Sequence, residues 1–504
     1  MNIKIIKVCL AFLIAGQPCW LLAQNQKNTE ERLERLEKEL QELRQKQNQG
    51  SLLGDMSNIA EGLSWGAYGE IKYVDHLSDY KTNQFDVNRV VLLTEYRFND
   101  WIDLLTEFEY EHAGFESKTA GGTAVNSGEV FVEQAYINFK FSDALQLRPG
   151  LNLLPVGPVN LRHEPTTFLA VERPRSESYI IPSTWREIGF IMHGDLFDKL
   201  NYQIGVVNGP RGAKFSESSW IRGGRTKGSE SRAENLAAFI ALKYNLFEGI
   251  ELGTAYYRGD SGQGEIERIN WQNRLHDPLD SWTEQGGLKA AWQSMRSNQN
   301  KKGSVRVHIA EGHITLRKGA WMGQAMFVQG WISDNDTREL NKTTGQNIGK
   351  LVEGSYGEIG FNVLSFFNTD QKLYPYIRLE YVNTQKHTIE RHWGGREDQL
   401  DLICAALNNT CKTTANLDKG NRDLGVIANS DSALESYGVI GTADRTNDQR
   451  IVSLGAAWFP HPGVVVKAEY ERQSSKSRYH KDIESRNPSN NKIDRIQMAV
   501  GFNI

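Results

Sequence analysis

Residues 495–504, which read RIQMAVGFNI and close the chain, decide the fold. Every second side chain is apolar, and this period of two predicts a β-strand with one apolar face. The apolar set is Ile496, Met498, Val500, Phe502 and Ile504. Chain ends fray unless something ties them down. This strand therefore needs a partner elsewhere in the chain, and we expect it in the first strand-like stretch, residues 65–73.

Strand-like segments of about ten residues follow one another from Trp65 to the end, and the connectors between them fall into two classes. Seven are short, at 99–100, 142–143, 197–199, 247–249, 318–320, 368–371 and 461–463. Eight are long and polar, at roughly 74–84, 112–127, 155–184, 209–236, 259–304, 333–351, 384–449 and 473–491. The two classes alternate, which predicts sixteen antiparallel strands with every long loop at one end.

A soluble β-sandwich has no reason to place all its long loops at one end, whereas an outer-membrane barrel does. Such barrels have short periplasmic turns, long external loops and an even number of strands. Hydrocarbon offers no partner to an unpaired backbone group, so the sheet must close on itself. The sequence therefore predicts an all-β fold, a sixteen-stranded antiparallel transmembrane β-barrel, in contact with the lipid of a Gram-negative outer membrane.

The two faces of the strands support this interpretation. In RVVLLTEYRF, residues 89–98, the even-numbered side chains are mostly apolar, while the odd-numbered face carries Arg89, Glu95 and Arg97. Aromatic residues lie near the short turns, where a girdle at the membrane interface is expected. They are Phe98, Trp101, Phe139, Phe141, Tyr244, Trp321, Tyr374 and Trp458. Glu133 breaks the pattern, because it falls on the lipid-facing side; either a bulge shifts the register or another subunit covers it.

The segment before the barrel has the pattern of an exported protein. Lys4 and Lys7 precede an apolar run and Ala23 offers a small residue for cleavage, which predicts a signal peptide over residues 1–23. Leucines spaced 3, 4 and 3 residues apart predict a periplasmic coiled-coil helix over residues 24–48. A single amphipathic helix is the alternative. Residues 49–64 form a linker and residues 65–504 the barrel domain.

Two cysteines remain after the signal peptide, and the net charge of the chain is small. Cys404 and Cys411 are expected to form a disulfide, since exported proteins meet an oxidising compartment. Two isolated thiols are less suited to a metal site. The formal charge of −4 over 504 residues gives no reason to expect a nucleic-acid partner.

The charged faces of the strands supply candidate pore-lining residues. The candidates on the expected inner face are Arg89, Arg97, Arg148, Arg378, Glu107 and Glu109. Over all strands, the side chains assigned to that face include more acidic than basic residues. The third long loop adds Arg162, Arg173 and Arg175. The fourth long loop is basic, with Arg211, Lys214, Arg222, Arg225, Lys227 and Arg232, and suits a mouth that gathers anions.

Motifs that would indicate catalysis or a cofactor are not found in the sequence. It contains no phosphate-binding G-x-x-x-x-G-K-[ST], no H-E-x-x-H and no G-x-S-x-G. The acidic stretch SDNDTRE, residues 333–339, lacks the glycine and spacing of a calcium loop and predicts a solvated loop. We therefore expect no enzyme activity, no metal and no cofactor.

With the strands placed, one segment resembles a known family. LLPVGPVNLRHEPTTFLAVERPRSESYIIPSTWREIGFIMHG, residues 153–194, resembles the phosphate-selective porin O and P family, as do NYQIGVVNG at 201–209 and AAWFPHPGVVVKAEYE at 456–471. The resemblance implies a trimer of sixteen-stranded barrels, each with one pore narrowed by loops folded inward. The third long loop would be the principal constriction. In phosphate-specific members, arginines and lysines draw anions through the pore.

The function expected from these patterns is passive diffusion of small hydrophilic solutes, including anions such as phosphate. Two alternatives stay open: an adhesin or structural barrel without an open pore, and a hydrolase embedded in a barrel. The last strand also resembles the signal by which the barrel assembly machinery recognises outer-membrane proteins. That signal usually ends on an aromatic residue, and here Ile504 takes that place.

Overall fold

The computed structural model describes residues 62–77, 82–113, 119–120, 123–124, 128–197, 199–229, 231–266, 303–344, 346–389, 445–475 and 492–504. The expected signal peptide, the coiled-coil helix, nearly all of the linker and the Cys404–Cys411 disulfide lie outside these residues. Trp65–Ile504 forms one compact unit.

Sixteen strands form a closed barrel in which each pairs antiparallel with the next along the chain. They are β1 Leu63–His76, β2 Gln84–Asn99, β3 Ile102–Glu111, β4 Val130–Ser142, β5 Leu145–Leu153, β6 Arg186–Leu196, β7 Leu200–Asn208, β8 Leu236–Phe247, β9 Ile250–Asp260, β10 Arg306–Lys318, β11 Trp321–Ile332, β12 Leu351–Phe361, β13 Lys372–His387, β14 Asp448–His461, β15 Val464–Ser475 and β16 Lys492–Asn503. The predicted fold class is confirmed.

The last strand closes the barrel against the first, as predicted. The register of β1 and β16 runs from Tyr68 opposite Asn503 to His76 opposite Arg495. Two further backbone hydrogen bonds join Ala67 and Ile504, at 3.0 and 2.8 Å. The apolar side chains of β16 face outward, with Met498 50% exposed, whereas Arg495 is buried inside. The end of the chain is thus the seam of the barrel.

Two connectors differ from the prediction. The turn expected at 368–371 is a longer connector, residues 362–371, containing the 3-10 helix Val363–Phe366; Asn362 caps it by accepting a hydrogen bond from the backbone of Leu364 at 3.2 Å. The expected solvated loop at 333–339 instead begins an α-helix, Asp334–Thr344. The Ser333 hydroxyl accepts a hydrogen bond from the Asp336 backbone N–H at 3.2 Å, and acidic residues in the first turn complement the helix dipole.

The outside of the barrel is an apolar belt. Phe190 is 61% exposed, Leu379 54% and Val500 48%, values that a water-facing sheet would not keep over a whole circumference. Aromatic side chains near the short turns are exposed too, including Trp101, Phe141 and Trp321. A closed sheet with this exterior belongs in the outer membrane of a Gram-negative cell.

Tyr374 is an exception, and its assignment to the aromatic girdle was wrong. It lies on the inward face of β13, is 6% exposed and packs edge-on against Phe459 at 5.9 Å between ring centroids. It shares its face with Arg378, four residues on, because side chains of a strand repeat every second residue.

Among the described residues no helix is long and apolar enough to cross a membrane.

The misplaced Glu133 is explained by a β-bulge. Glu107 of β3 pairs with Gln134 and the next residue, Phe108, pairs with Val132, so that Glu133 is the extra residue in β4. The bulge turns Glu133 into the barrel, where it is fully buried. Of the two explanations offered by the sequence, the shift of register is the correct one.

Two long connectors fold into the barrel: loop A, residues 154–185, and loop B, residues 209–235. They meet two different regions of the wall. The apolar sector consists of loop residues Leu154, Ile180, Trp185, Phe215 and Trp220 packed against wall residues Ile191, Val207, Tyr257, Val328 and Val352, on β6 to β12. The charged sector consists of the inward-facing, buried residues Glu70, Lys72, Arg89, Glu107, Arg378, Lys467, Glu469, Glu471 and Arg495 on β1, β2, β3, β13, β15 and β16.

Candidate pore constriction

Carboxylates of the wall hold the backbone of loop A. The side chain of Glu358 accepts hydrogen bonds from the backbone N–H groups of Leu169 and Ala170, at 3.0 and 3.1 Å. Glu380 accepts one from the backbone of Arg175 at 2.6 Å. Backbone donors in a loop have no ladder partner and must find another acceptor. The wall supplies it, and loop A is fixed across the interior.

Cations of the wall bind the carbonyl oxygens of the same loop. Arg89 donates to the carbonyl of His163 at 2.6 Å, and Arg378 donates to that of Glu172 at 2.6 Å. Lys467 donates to the carbonyl of Ala170 at 2.8 Å. Arg89 and Arg378 were expected to line a pore. The structure places both under loop A, where their charges are used to hold it.

A buried polar junction between loop A and the wall surrounds the hydroxyl of Tyr68, and we call it the latch (Tyr68, Glu107, Glu133 and His163). The hydroxyl lies 2.7 Å from Nε2 of His163, donates to Glu107 at 2.9 Å and lies 3.5 Å from Glu133. His163 Nε2 is also 3.3 Å from Glu133. All four side chains are buried, so these contacts are made without competition from water.

The latch also has the donor set of a metal site. One ligand atom each of Glu107, Glu133 and His163 lies within 4.8 Å of the others, and Nδ1 of His163 lies 3.2 Å from the carbonyl of Asn160, which would leave Nε2 free to coordinate. The Tyr68 hydroxyl, however, already lies among these atoms, and the Arg186 guanidinium is 3.9 Å from Glu133. The arrangement works as a hydrogen-bonded anchor without an ion.

Glu172 and Arg175 tie the middle of loop A to the charged sector. Glu172 pairs with Lys72 at 3.2 Å, and this charge, followed by that of Arg175, holds the pKa of Glu172 at about 2. Arg175 reaches Glu471 at 3.5 Å, and Glu471 is shared with Arg495 at 2.8 Å. These ion pairs leave little uncompensated charge on this side of the loop.

Loop B places arginines on loop A without carboxylate partners. Arg222 donates to the carbonyls of Ser178 and Ser183, at 2.9 and 2.8 Å. Arg225 donates to the carbonyls of Pro182 and Thr184, both at 3.1 Å. Both guanidiniums therefore stay fully charged while contacting only neutral groups.

Further cations gather at the same place. The Arg186 guanidinium lies 3.5 Å from the Thr184 hydroxyl and 4.2 Å from the ring centroid of Phe131, which Lys227 also faces at 5.6 Å. We call Arg173, Arg186, Arg222, Arg225 and Lys227 the basic cluster. Arg186 has Glu133 at 3.9 Å and Lys227 has Glu129 at 3.6 Å, but Arg173, Arg222 and Arg225 have no ion-pair partner among the described residues.

Burial and neighbouring cations lower the pKa values of two loop arginines. Burial, followed by the charges of Arg222 and Arg186, lowers the pKa of Arg225 to about 9. Burial, followed by the charge of Arg89, lowers the pKa of Arg173, while nearby Glu109 and Glu133 oppose this shift. With a pKa of about 9, Arg225 remains protonated at neutral pH. Arg173 and Arg225 are partly exposed, so an anion in the interior can reach them.

Arg97, Arg148 and Arg162 lie apart from the basic cluster, whereas Glu109 is near enough to Arg173 for the two charges to interact. Arg97 is at the short-turn end, 3.7 Å from Asp103, and Arg162 pairs with Glu251 at 3.1 Å. Arg148 lies 5.2 Å from the ring centroid of Tyr136. Glu109 is buried in β3. The predicted residues therefore do not form one row; loop A separates them into several local sites.

Loop B and loop A also share an apolar interface with the wall. Trp185 packs against Tyr257 at 4.6 Å between ring centroids, and both are fully buried. Trp220 is fully buried, donates from its indole nitrogen to the carbonyl of Gly349 at 3.1 Å and lies so close to Gly330 that a side chain there would clash with the indole at 2.3 Å. Buried apolar side chains therefore hold both loops against this part of the wall.

The sequence identified the basic residues of loop B but not their position beside loop A. It did not identify Tyr68, Lys72 or Arg186, nor what His163 of loop A and Lys467 of β15 contact. Arg186 shares the parity of the outward-facing Ile188 and Phe190, so of these two wall residues only Lys467 carried the period-2 signal of an inward residue. The loop partners of the wall residues could not be predicted, because a loop without periodicity gives no register.

Comparison with known proteins gives one distant relative in sequence. No protein-family model matches the chain. A protein of Aquifex aeolicus (strain VF5), described as uncharacterized, is 25% identical over 443 residues, covering 86% of this chain and 81% of that protein.

Solved structures similar to the chain are outer-membrane proteins at low sequence identity. A loop L8 deletion mutant of OmpT of Vibrio cholerae has a TM-score of 0.45 and 8% identity, covering 88% of this chain and 99% of that one. Salmonella typhi OmpF in complex with daunomycin has a TM-score of 0.45 and 12% identity, covering 89% of this chain and 99% of that one. The outer membrane channel DcaP of Acinetobacter baumannii has a TM-score of 0.43 and 7% identity, covering 88% of this chain and 97% of that one. The fold and membrane location of this chain rest on its own strand pairing and apolar exterior.

Proposed function

We propose that this chain is an outer-membrane porin that lets small hydrophilic solutes diffuse passively and favours anions. The observation that carries this proposal is the basic cluster: Arg173, Arg222 and Arg225 lie on two loops folded into the barrel and have no carboxylate partner among the described residues. Most other buried charges of the interior are matched by an opposite charge close by.

The physical mechanism follows from where charge is left over. A pore selects ions by the charges at its narrowest part rather than by the total along its wall. Paired charges, such as Lys72 with Glu172, present little field to a passing ion. Arginines that contact only neutral carbonyls keep their full charge and have free N–H donors for an oxyanion. The acidic excess along the strands therefore does not decide the preference.

Phosphate is a member of the proposed solute class, since guanidinium groups bind its oxygens through two parallel hydrogen bonds. The resemblance of residues 153–194 to the phosphate-selective porin O and P family supports this finer proposal, and it supports a homotrimer with one pore per subunit. Insertion by the barrel assembly machinery is proposed from the sequence of β16. No enzymatic step is proposed.

A second candidate function is a closed barrel that serves as an anchor or adhesin. The apolar sector favours it, because loop A and loop B fill that part of the interior with buried side chains. The two candidates differ in whether water and ions pass along the side of loop A that carries Arg173.

Planar-bilayer recording of the purified protein in a potassium chloride gradient tests both. We expect discrete channels with a reversal potential on the anion side, and a smaller current when phosphate is added to chloride, because phosphate occupies the basic cluster for longer. A protein that inserts and gives no channels would establish the closed barrel instead. Channels with a cation-side reversal potential would overturn the anion preference.

A further inference from the structure

An exposed basic and aromatic patch lies on the outside of the barrel, at the long-loop ends of β9, β10 and β11. Arg258 of β9 is opposite His308 of β10, which is opposite Trp331 of β11. The rings of His308 and Trp331 stack, with 5.2 Å between centroids and 4° between planes. The hydroxyl of Tyr256 lies 2.8 Å from Nδ1 of His308. The patch is therefore ordered by its own contacts.

Two guanidiniums of this patch, those of Arg258 and Arg306, are exposed and have no hydrogen-bond or ion-pair partner among the described residues. Other exposed basic side chains near the same end of the barrel are matched by acids. Arg472 lies 2.7 Å from Asp494, and Lys386 lies 3.5 Å from Glu353. The patch differs from its surroundings in keeping two free cations.

Acidic groups near the patch are engaged elsewhere. Asp336 accepts a hydrogen bond from the backbone of Arg306 at 3.0 Å. Asp260, opposite Arg306 in the ladder, accepts hydrogen bonds from the backbones of Gly262 and Val305, both at 3.1 Å, and from the Ser304 hydroxyl. Neither carboxylate lies within ion-pair distance of a guanidinium of the patch.

The height of the patch on the barrel places it at the level of lipid headgroups. Arg306 and Lys318 lie on the same outward face of β10, twelve residues apart. At about 3.4 Å per residue and a strand tilt of roughly 40°, they are separated by about 30 Å along the membrane normal. Between them the outward face carries Leu316, Ile314 and Ala310. The two cations thus bracket the apolar belt, Arg306 on the outer side.

We propose that Arg258 and Arg306 bind the phosphate group of an outer-leaflet lipid, with His308 and Trp331 packed beside its headgroup. A guanidinium pair matches phosphate oxygens in charge and hydrogen-bond geometry. Aromatic rings at this level suit an interface that is apolar on one side and polar on the other. The site lies outside the barrel and is independent of conduction through the interior.

Native mass spectrometry of the detergent-solubilised barrel with added bisphosphorylated lipid A tests the proposal. We expect retention of the lipid to weaken roughly fivefold for R258Q and about twentyfold for R258Q/R306Q, since each surface cation contributes a similar amount. K318Q, which removes the exposed cation at the opposite end of the same face, should bind as the wild type does. Heat-modifiable mobility on gels verifies that each variant is a folded barrel.

Three outcomes would overturn the proposal. The first is equal retention of lipid A by the wild type and R258Q/R306Q. The second is equal retention of lipid A and its fully dephosphorylated form by the wild type. The third is protection by inorganic phosphate alone equal to that by lipid A, which would assign a free anion instead. Should R258Q/R306Q fail to fold, R258Q alone, with its fivefold expected loss against K318Q, decides the result.

Discussion

The two regions of the barrel interior hold the same loops by different physics. In the apolar sector, Trp185 and Trp220 are buried against strand residues through van der Waals contacts that do not depend on charge. In the charged sector, loop A is held by ion pairs and by hydrogen bonds to its backbone, such as those of Arg89 and Arg378. One region resembles the core of a soluble domain and the other an ionic interface.

The difference between the apolar and charged sectors indicates where the proposed solute path lies in the barrel interior. Because side chains of both loops pack against the wall in the apolar sector, we place the proposed solute path on the charged side of loop A. On that side most charges are neutralised by pairing, and the unpaired arginines of the basic cluster set the field. Changes in the apolar sector should therefore alter how much of the interior is filled, while changes near the cluster should alter which ion passes.

Loss of Trp220 should have the largest effect. Trp220→Ala removes a fully buried indole, and such substitutions cost about 3–5 kcal/mol. Loop B, with Arg222 and Arg225, should detach from the wall. Single-channel conductance should then rise several-fold, and the preference for anions should weaken because these arginines have moved. Planar-bilayer recording measures it. Trp321→Ala, which removes an outward-facing indole, is the control; equal conductance in the two variants would contradict the packed apolar sector.

Loss of Glu133 should have the next largest effect, on the charged side. Glu133→Ala removes the carboxylate that pairs with both His163 and Arg186 in the buried latch, and loss of such an acceptor costs about 1–3 kcal/mol. Loop A should become more accessible to protease near His163, whereas conductance should change less than in Trp220→Ala. Limited proteolysis of folded barrels measures it. Glu133→Gln keeps the side-chain shape and a hydrogen-bond acceptor, so its protease sensitivity should lie between those of the wild type and Glu133→Ala. A wild-type digestion pattern in Glu133→Ala would rule out the latch.

The pH dependence of loop A should distinguish the sectors further. Lys72, and then Arg175, lower the pKa of Glu172 to about 2, below the value near 4.3 of an unfolded glutamate. A depressed pKa means that the stabilisation is fully present above about pH 4.3 and is lost as the pH falls through about 2. Protease resistance of loop A, assayed with pepsin from pH 5 to pH 2, should therefore fall only below about pH 4. Glu172→Gln should show a shallower fall, and identical profiles would contradict the Lys72–Glu172 tie.

The smallest effect is expected at Arg97. Its side chain is 62% exposed and lies 3.7 Å from Asp103, and exposed pairs of this kind contribute below about 1 kcal/mol. Arg97 also lies at the short-turn end of β2, whereas loop B connects β7 and β8 at the long-loop end of the barrel. Arg97→Gln should leave the reversal potential within experimental error of the wild type in a salt-gradient recording. A shift as large as that of a basic-cluster variant would move the selecting charge to the short-turn end.

The sequence predicted the barrel well because its strands repeat every second residue. The alternation in β2 and β16 gave the facing of Arg89 and Met498 correctly, and the asymmetric connectors gave the number of strands. It was incomplete where the backbone departs from that period: Glu133 broke the alternation, but a single sequence could not choose between a bulge and a covering subunit. Tyr374 was misplaced because nearness to a turn was weighed above its shared parity with Arg378.

The interior site was less predictable for a physical reason. Loop A and loop B have neither helical nor strand periodicity, so nothing in their sequence states which residue meets which part of the wall. Trp185 and Trp220 are apolar residues in polar loops, and this local excess was the available signal that the loops have a buried side. The position of Arg222 and Arg225 on the carbonyls of residues 178–184 depends on two loops meeting, and no local pattern encodes it.

The central claim is that the unpaired arginines of the basic cluster, rather than the paired charges of the wall, set the ion preference. The reversal potential of the R173Q/R222Q/R225Q variant in a potassium chloride gradient, measured beside that of the wild type, tests this directly. The account predicts an anion-side potential for the wild type that moves to zero or to the cation side in the variant, with channels still present. An unchanged anion-side potential in a conducting variant would contradict it.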